Sequence, residues 1–465
     1  MHRRRFLRSV CAVGALATAG CSRTRSDPPT TPSGQTTAPP ERPPDPVTED
    51  APSPPREVAD AWGLDDVVNL ERAGADPTGE EPVEGVLADA AADGSLVFLP
   101  EGRYRITESF ALGAGQRFGL YGPAATVVPR EGFSDTLFGL GWPEPLTEVY
   151  VAGLTFDFTA PETGGRPVFA AADDRVELVD VSVRGEIDVP QDQVRLDVTD
   201  SQGTGVVERL SLPDGGVAGT GVTGCEVGDD NHGDVRFVDC RIEGFPDNGL
   251  YADPPDGSVT VDGGYFANNG VASVRIETSE ASVVRGAHVV VDDADSDFEN
   301  LRGVRLRAGR SLLVEDCRVD MLAAPGSDGA VTFASELESA TVRDCRLHVD
   351  ADGVNAVRVK SPDGGGTEAG RGPFRCERVA VTGSAAGGAA IEAANTEGCE
   401  LVDVCVHQPG EDRDGVLAEN VRGSLRDVRL AVTGRALALT DSTFDRRNVV
   451  LTRPGGGCCG ACGGE

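Results

Sequence analysis

Val274-Arg275-Ile276-Glu277 recurs as Val304-Arg305-Leu306-Arg307, Val331-Thr332-Phe333-Ala334 and Val357-Arg358-Val359-Lys360. As a strand, each tetrad turns its first and third side chains to a core and its second and fourth to water. Strands of this kind start near Gly249, Ser273, Gly303, Ala330, Ala356, Ala389, Gly415 and Ala436, a repeat of roughly 20 to 33 residues that matches one solenoid coil. A second strand follows in each coil, as in Val259-Thr260-Val261, Val283-Val284-Arg285, the run from Val314 to Val319 and the run from Val342 to Leu347. Asp247-Asn248-Gly249, Asp328-Gly329 and Asp414-Gly415 mark corners, where a positive φ or a side-chain turn bond is wanted, so their acids read first as turn formers. Short alternating strands without long helices favour an all-β parallel β-helix over a sandwich, because stacked coils keep their strands in register.

Ahead of the coils, Val67-Val68-Asn69-Leu70 reads as a strand, Gly74-Ala75-Asp76 as a turn, and about 82–92 as a helix with Val83, Val86, Leu87 and Ala90 on one face. An apolar strand, Leu96-Val97-Phe98-Leu99, then runs into Pro100-Glu101-Gly102-Arg103-Tyr104. This order resembles the N-terminal cap of the pectate-lyase-like superfamily. The resemblance implies a single-stranded right-handed parallel β-helix with a short N-terminal capping helix. The chain departs from the superfamily in carrying Asp76-Pro77-Thr78-Gly79-Glu80-Glu81 where an Asp-Gly-x-x-Asp-Asp-Thr stretch is usual.

Arg3-Arg4-Arg5-Phe6-Leu7 resembles the twin-arginine export motif, and the apolar run from Val10 to Ala19 is too short to span a bilayer. Thr18-Ala19-Gly20-Cys21 resembles a lipobox, which implies lipidation of Cys21 and attachment to the outer face of the cell membrane by a lipid anchor only; cleavage and full secretion is the alternative. The expected organisation is a signal over 1–21, a Pro/Thr/Ser-rich tether over 22–60, a cap and first coil over 61–110, the β-helix over 111–453 and a Gly/Cys-rich tail over 454–465.

The 42 basic and 76 acidic residues leave a formal net charge of −34, and Lys360 is the sole lysine. An acidic surface that prefers Arg to Lys resembles those of exported lipoproteins from halophilic archaea, where carboxylates hold water in concentrated salt. Nucleic acid is disfavoured as a partner, since phosphate binding needs an extended basic face. Of the twelve cysteines, Cys240, Cys317 and Cys345 hold equivalent places and are expected to stack inward as small apolar side chains rather than as disulfides. Cys458, Cys459 and Cys462, three thiols with no histidine nearby, are a weak zinc signal. Gly228-Asp229-Asp230-Asn231-His232-Gly233 and Arg358-Val359-Lys360 resemble pieces of polygalacturonase motifs, but here the Asp pair and the His run together instead of lying on separate coils, so the likeness is set aside.

Carried along the coils, the second tetrad position reads Tyr251, Arg275, Arg305, Thr332, Arg358, Ala390, Leu417, and the fourth reads Asp253, Glu277, Arg307, Ala334, Lys360, Glu392, Glu419. In the fourth column Glu277 is expected to pair with Arg307, and Lys360 with Glu392. In the second, Arg275 and Arg305 are adjacent like charges, unfavourable on a sheet, so either loop acids such as Asp292 to Asp297 cover them or a bound anion does. The resemblance implies that this face serves a polysaccharide lyase, hydrolase or epimerase. The expected ligand is an acidic polysaccharide or envelope glycan, gripped by Tyr251, whose ring offers a face to a sugar, with Arg275, Asp247, Glu277 and Arg307. Arg305, Arg358 or Lys360 is the expected base or carboxylate neutraliser of a lyase, with Ca²⁺ as a possible cofactor held by nearby acids. Hydrolysis is less favoured, since Glu277 and Glu392 lie four coils apart, about 19 Å, too far for a carboxylate pair. A non-enzymatic adhesion or scaffold β-helix is the competing expectation.

Overall fold

The computed structural model describes residues 52–362 and 371–455. The twin-arginine stretch, Cys21, most of the tether and the Cys-rich run of the tail lie outside the described residues.

The coils follow one plan. Ala272–Glu277, Val283–Arg285 and His288–Val291 make one turn, and Arg302–Gly309, Leu312–Glu315 and Arg318–Met321 make the next. All three strands pair parallel with their successors, Val274 beside Val304, Val284 beside Val314 and Val289 beside Val319. Repeated over about 13 turns, this gives a right-handed parallel β-helix with almost no helix. The first and second strand columns merge into one 25-stranded sheet, because Arg166–Val179, Ala389–Val402 and Asp414–Arg426 each run unbroken through the corner between them; the third column is a separate 15-stranded sheet. A continuous file of buried apolar residues from Leu70 to Val432 fills the interior.

The run from Val314 to Val319, expected as one strand, is two. Asp316 adopts φ 51° and turns the chain between them, and Asp239, Asp344, Asp403 and Asp427 do the same in their coils at 48°, 55°, 52° and 56°. Asp tolerates this left-handed region because its short side chain can bond locally. The inward alternation resumes directly after the corner, so the sequence pattern passes through it unbroken. Cys240, Cys317 and Cys345 each follow such an Asp and are buried free thiols, with the Cys317 thiol donating to the Val284 carbonyl at 3.5 Å and Cys345 to Val314 at 3.6 Å. Cys405 differs: it is disulfide-bonded.

Helix Glu84–Ala90 falls within the expected 82–92 and lays Leu87 and Ala90 against Val83 and Tyr104 at the end of the core. A second helix, Pro55–Trp62, occupies the end of the stretch read as tether. Proline at its first position gives up an N–H that would be unpaired anyway, and Gly63 at φ 68° closes it. Its Trp62 stacks on Tyr150 with centroids 4.7 Å apart, and its Ala59 is fully buried. Among the described residues, regular structure thus starts at Pro55, inside the stretch read as tether.

Replacing Asp316 with Val puts a β-branched residue at a left-handed corner, and is expected to lower stability by roughly 1 to 2 kcal/mol, while Asp316→Gly leaves it within a few tenths. Denaturant midpoints of the two variants check this.

Candidate functional site

Parallel pairing in register writes one continuous file of outward side chains on the first sheet. Phe169, Arg195, Glu226, Tyr251, Arg275, Arg305, Thr332 and Arg358 follow one another as direct partners. The next rung is Glu392 rather than Ala390: Ile391 pairs with Val357, so the strand opens two residues before this register, and Ala390 is fully buried.

Most charges on this face are settled within the chain. The Arg275 guanidinium lies over the Tyr251 ring at 4.1 Å and pairs with Glu277 at 2.8 Å. One face of Tyr251 is thereby covered by the cation, not left for a sugar. The expected Glu277–Arg307 pair does not form, because the strand shifts register after Ile276 and sets Glu277 beside Ala308, while Arg307 pairs with Glu336. The Lys360 amine reaches Asp328 at 2.5 Å instead of Glu392, and Glu392 faces Arg358 at 3.5 Å. Asp328, read from sequence as a turn former, is the hub: it also accepts from Arg358 and Arg302, each at 2.8 Å. Burial works against its charge, but Lys360 and Arg302 outweigh it and hold the carboxyl below the usual range. Arg358 and Lys360 are thus ion-paired rather than poised as bases. Asp292 accepts from the Asn268 amide at 2.9 Å, and none of Asp292, Asp293, Asp295 and Asp297 ion-pairs with an arginine among the described residues.

Arg305 is the exception. Among the described residues it has no ion pair, and its buried Nε has no hydrogen-bond partner. Burial, then Arg302, Arg275 and Arg307, push its pKa down to about 10. Arg275 Nε on the rung before and Thr332 Oγ1 on the rung after are also buried and unpartnered. Asp247 also senses both arginines: burial raises its pKa against their pull, yet its Oδ1 accepts from Asn248 at 2.8 Å and it ion-pairs with neither. The Arg275, Arg305 and Thr332 atoms are donors on successive rungs, flanked by positive charge, whose hydrogen-bonding capacity is unmet among the described residues. The residues do not fit Ca²⁺: among the described residues no three His, Cys, Asp or Glu side chains gather as metal ligands, and Asp328 is taken by cations.

Toward the N-terminus the same file borders a cleft of about 610 Å³ lined by Trp142, Arg166, Phe169, Arg195, Asp229 and Asp230 among others. None of these was singled out as a site residue from sequence, although extending the tetrad register backwards from Tyr251 reaches Arg195.

No family model and no curated protein matches the chain. Solved structures do. The catalytic unit of a thermostable GH87 α-1,3-glucanase from Streptomyces thermodiastaticus is 16% identical, with 84% of this chain and 69% of that one covered and a TM-score of 0.51. The surface protein and adhesin PfbA of Streptococcus pneumoniae is 13% identical over 83% of this chain and all of that one, TM-score 0.42. The A-module of the mannuronan C-5 epimerase AlgE4 of Azotobacter vinelandii is 15% identical over 82% and 100%, TM-score 0.41. The glucanase likeness speaks for the β-helix fold alone.

Asp328→Asn leaves three cations on a neutral amide and is expected to lower stability by about 3 kcal/mol at neutral pH. Because the folded Asp328 pKa is depressed, its contribution is complete above the unfolded carboxylate value of about 3.9 and fades as pH falls through the lower folded one. Acid titration of stability should therefore be flatter in Asp328→Asn than in the parent below about pH 4.

Proposed function

We propose that the chain is an exported, lipid-anchored β-helix protein that binds an acidic polysaccharide along the outward file, receiving a carboxylate or sulfate at Arg305 with Arg275 and Thr332 beside it. One observation carries this reading: among the described residues every other arginine of the central face has an acid, and Arg305 has none. A charge left unpaired and half-buried among three like charges costs folding free energy, which a ligand that binds there repays. In concentrated salt, where the Debye length is about 3 Å at 1 M, contacts of this direct kind persist while long-range attraction does not. Four coils span about 14 Å, room for roughly three sugar units. Where binding leads to lyase chemistry, Arg305 and Arg275 are the groups that neutralise the uronate carboxylate and so acidify the ring proton beside it.

The non-enzymatic scaffold is the second reading, favoured by the internal ion pairs of Arg358 and Lys360. The two diverge at Arg305. Arg305→Met is expected to raise the melting temperature, by relief of like-charge repulsion, and to weaken retention on immobilised polygalacturonate or alginate in concentrated salt by about tenfold or more. Unchanged retention would sink the anion-binding reading and leave the scaffold.

A further inference from the structure

Six cysteines among the described residues carry free thiols, all of them buried, and the outward file uses none of them. Register decides which of them meet. Glu315 pairs with Arg343 and Arg318 with Arg346, and each coil places one Asp and one Cys between those partners. Cys317 therefore stacks directly on Cys345, and its carbonyl accepts the Arg346 N–H at 2.9 Å. Stacked partners on neighbouring coils have Cα atoms about 4.8 Å apart, inside the roughly 4.4 to 6.8 Å that a disulfide spans. The other thiols lack this placement. Cys399 pairs with Phe374 and Cys376 with Leu401, which sets these two cysteines on a diagonal of about 8 Å, beyond that reach. Cys225 lies between Val194 and Leu250. Cys240 lies between Leu210 and Gly264, since Arg241 donates its N–H to Leu210 and Tyr265 donates to Cys240. The Cys317 and Cys345 thiols are within hydrogen-bonding reach of each other, which lowers the pKa of Cys317 and raises that of Cys345.

We propose that Cys317 and Cys345 form a modification site, at which a small disulfide such as oxidised glutathione installs a covalent bond between two adjacent coils. The step is a pair of thiol–disulfide exchanges. The Cys317 thiolate attacks one sulfur of the oxidant, whose S–S bond breaks, and one glutathione leaves as its thiolate. Cys345 then gives up its proton and attacks Cys317 Sγ, which releases the second glutathione. The two cysteines lose two electrons and two protons, and the oxidant becomes two thiols. Cys317 acts first because its stacked neighbour helps it ionise. Both thiols are buried in the closed fold, so the exchange runs when these coils open locally and stops while they are shut. The bond closes a loop of 28 residues (345 − 317) and joins the coil that carries Arg305 to the coil that carries Thr332. Restricting the unfolded chain in this way stabilises the folded one. The cross-link stands on register and holds whether or not an anion binds at Arg305.

The test holds the full chain in concentrated salt with oxidised glutathione, at temperatures rising to the onset of unfolding, then blocks the remaining free thiols and maps the cysteine peptides by mass. A linked Cys317–Cys345 peptide pair, about 2 Da lighter than its two reduced parts, is expected, with Cys225, Cys240, Cys376 and Cys399 recovered as blocked thiols. Oxidation is expected to raise the melting temperature by several degrees. Cys345→Ala, which keeps a small apolar side chain at its place and whose melting before oxidation checks that it folds, should show no such rise and should instead hold one glutathione on Cys317. Full blocking of Cys317 and Cys345 at every temperature, a Cys376–Cys399 bond formed as readily, or an equal rise in Cys345→Ala would overturn the proposal.

Discussion

Coils stacked in register set each outward side chain about 4.8 Å from its counterparts on the coils before and after, and every charge on the face must be balanced within that spacing or by a loop. The chain meets the demand in two ways. Neighbouring rungs carry opposite signs, as Arg195 beside Glu226 and Arg358 beside Glu392 do. Elsewhere a corner acid reaches over, as Asp328 does to Arg302, Arg358 and Lys360. Arg275 against Arg305 satisfies neither rule. Arg275 is relieved by Glu277 and the Tyr251 ring, which moves the whole unbalanced charge onto Arg305. In a chain of net charge −34, acids are plentiful, so an arginine without an ion pair among the described residues is the exception on which the proposed anion site rests.

The same file changes character along its length. Around Arg305 it is cationic and has unpartnered donors; around Arg195 it is acidic, aromatic and concave.

The tetrads carried the architecture because the β-helix repeats its inward pattern once per coil, and they carried the Arg275–Arg305 contact because register follows from the inward residues. What they did not carry was decided at corners and loops. Asp316 looks like mid-strand because alternation survives a left-handed residue. Asp328 and Glu336 pair with residues whose positions depend on coil lengths, which vary, and Glu392 was placed in the neighbouring column of its rung because its strand opens two residues earlier. The Asp229-Asp230-Asn231-His232 run was visible but split by the fold: Asp229 and Asp230 turn to Arg195, while His232 pairs with Asp256 at 3.1 Å beside a different cavity. Trp142 gave no sign at all, since a lone tryptophan in a loop has no period to betray its exposure.

The most direct measurement is a crystal structure of the protein with a trimer of galacturonate in concentrated salt. A sugar carboxylate bridging the Arg305 and Arg275 guanidinium groups, with Thr332 donating to the same ligand, is the predicted result. A carboxylate of the chain itself seated on Arg305, with the trimer elsewhere or not bound, would contradict the account.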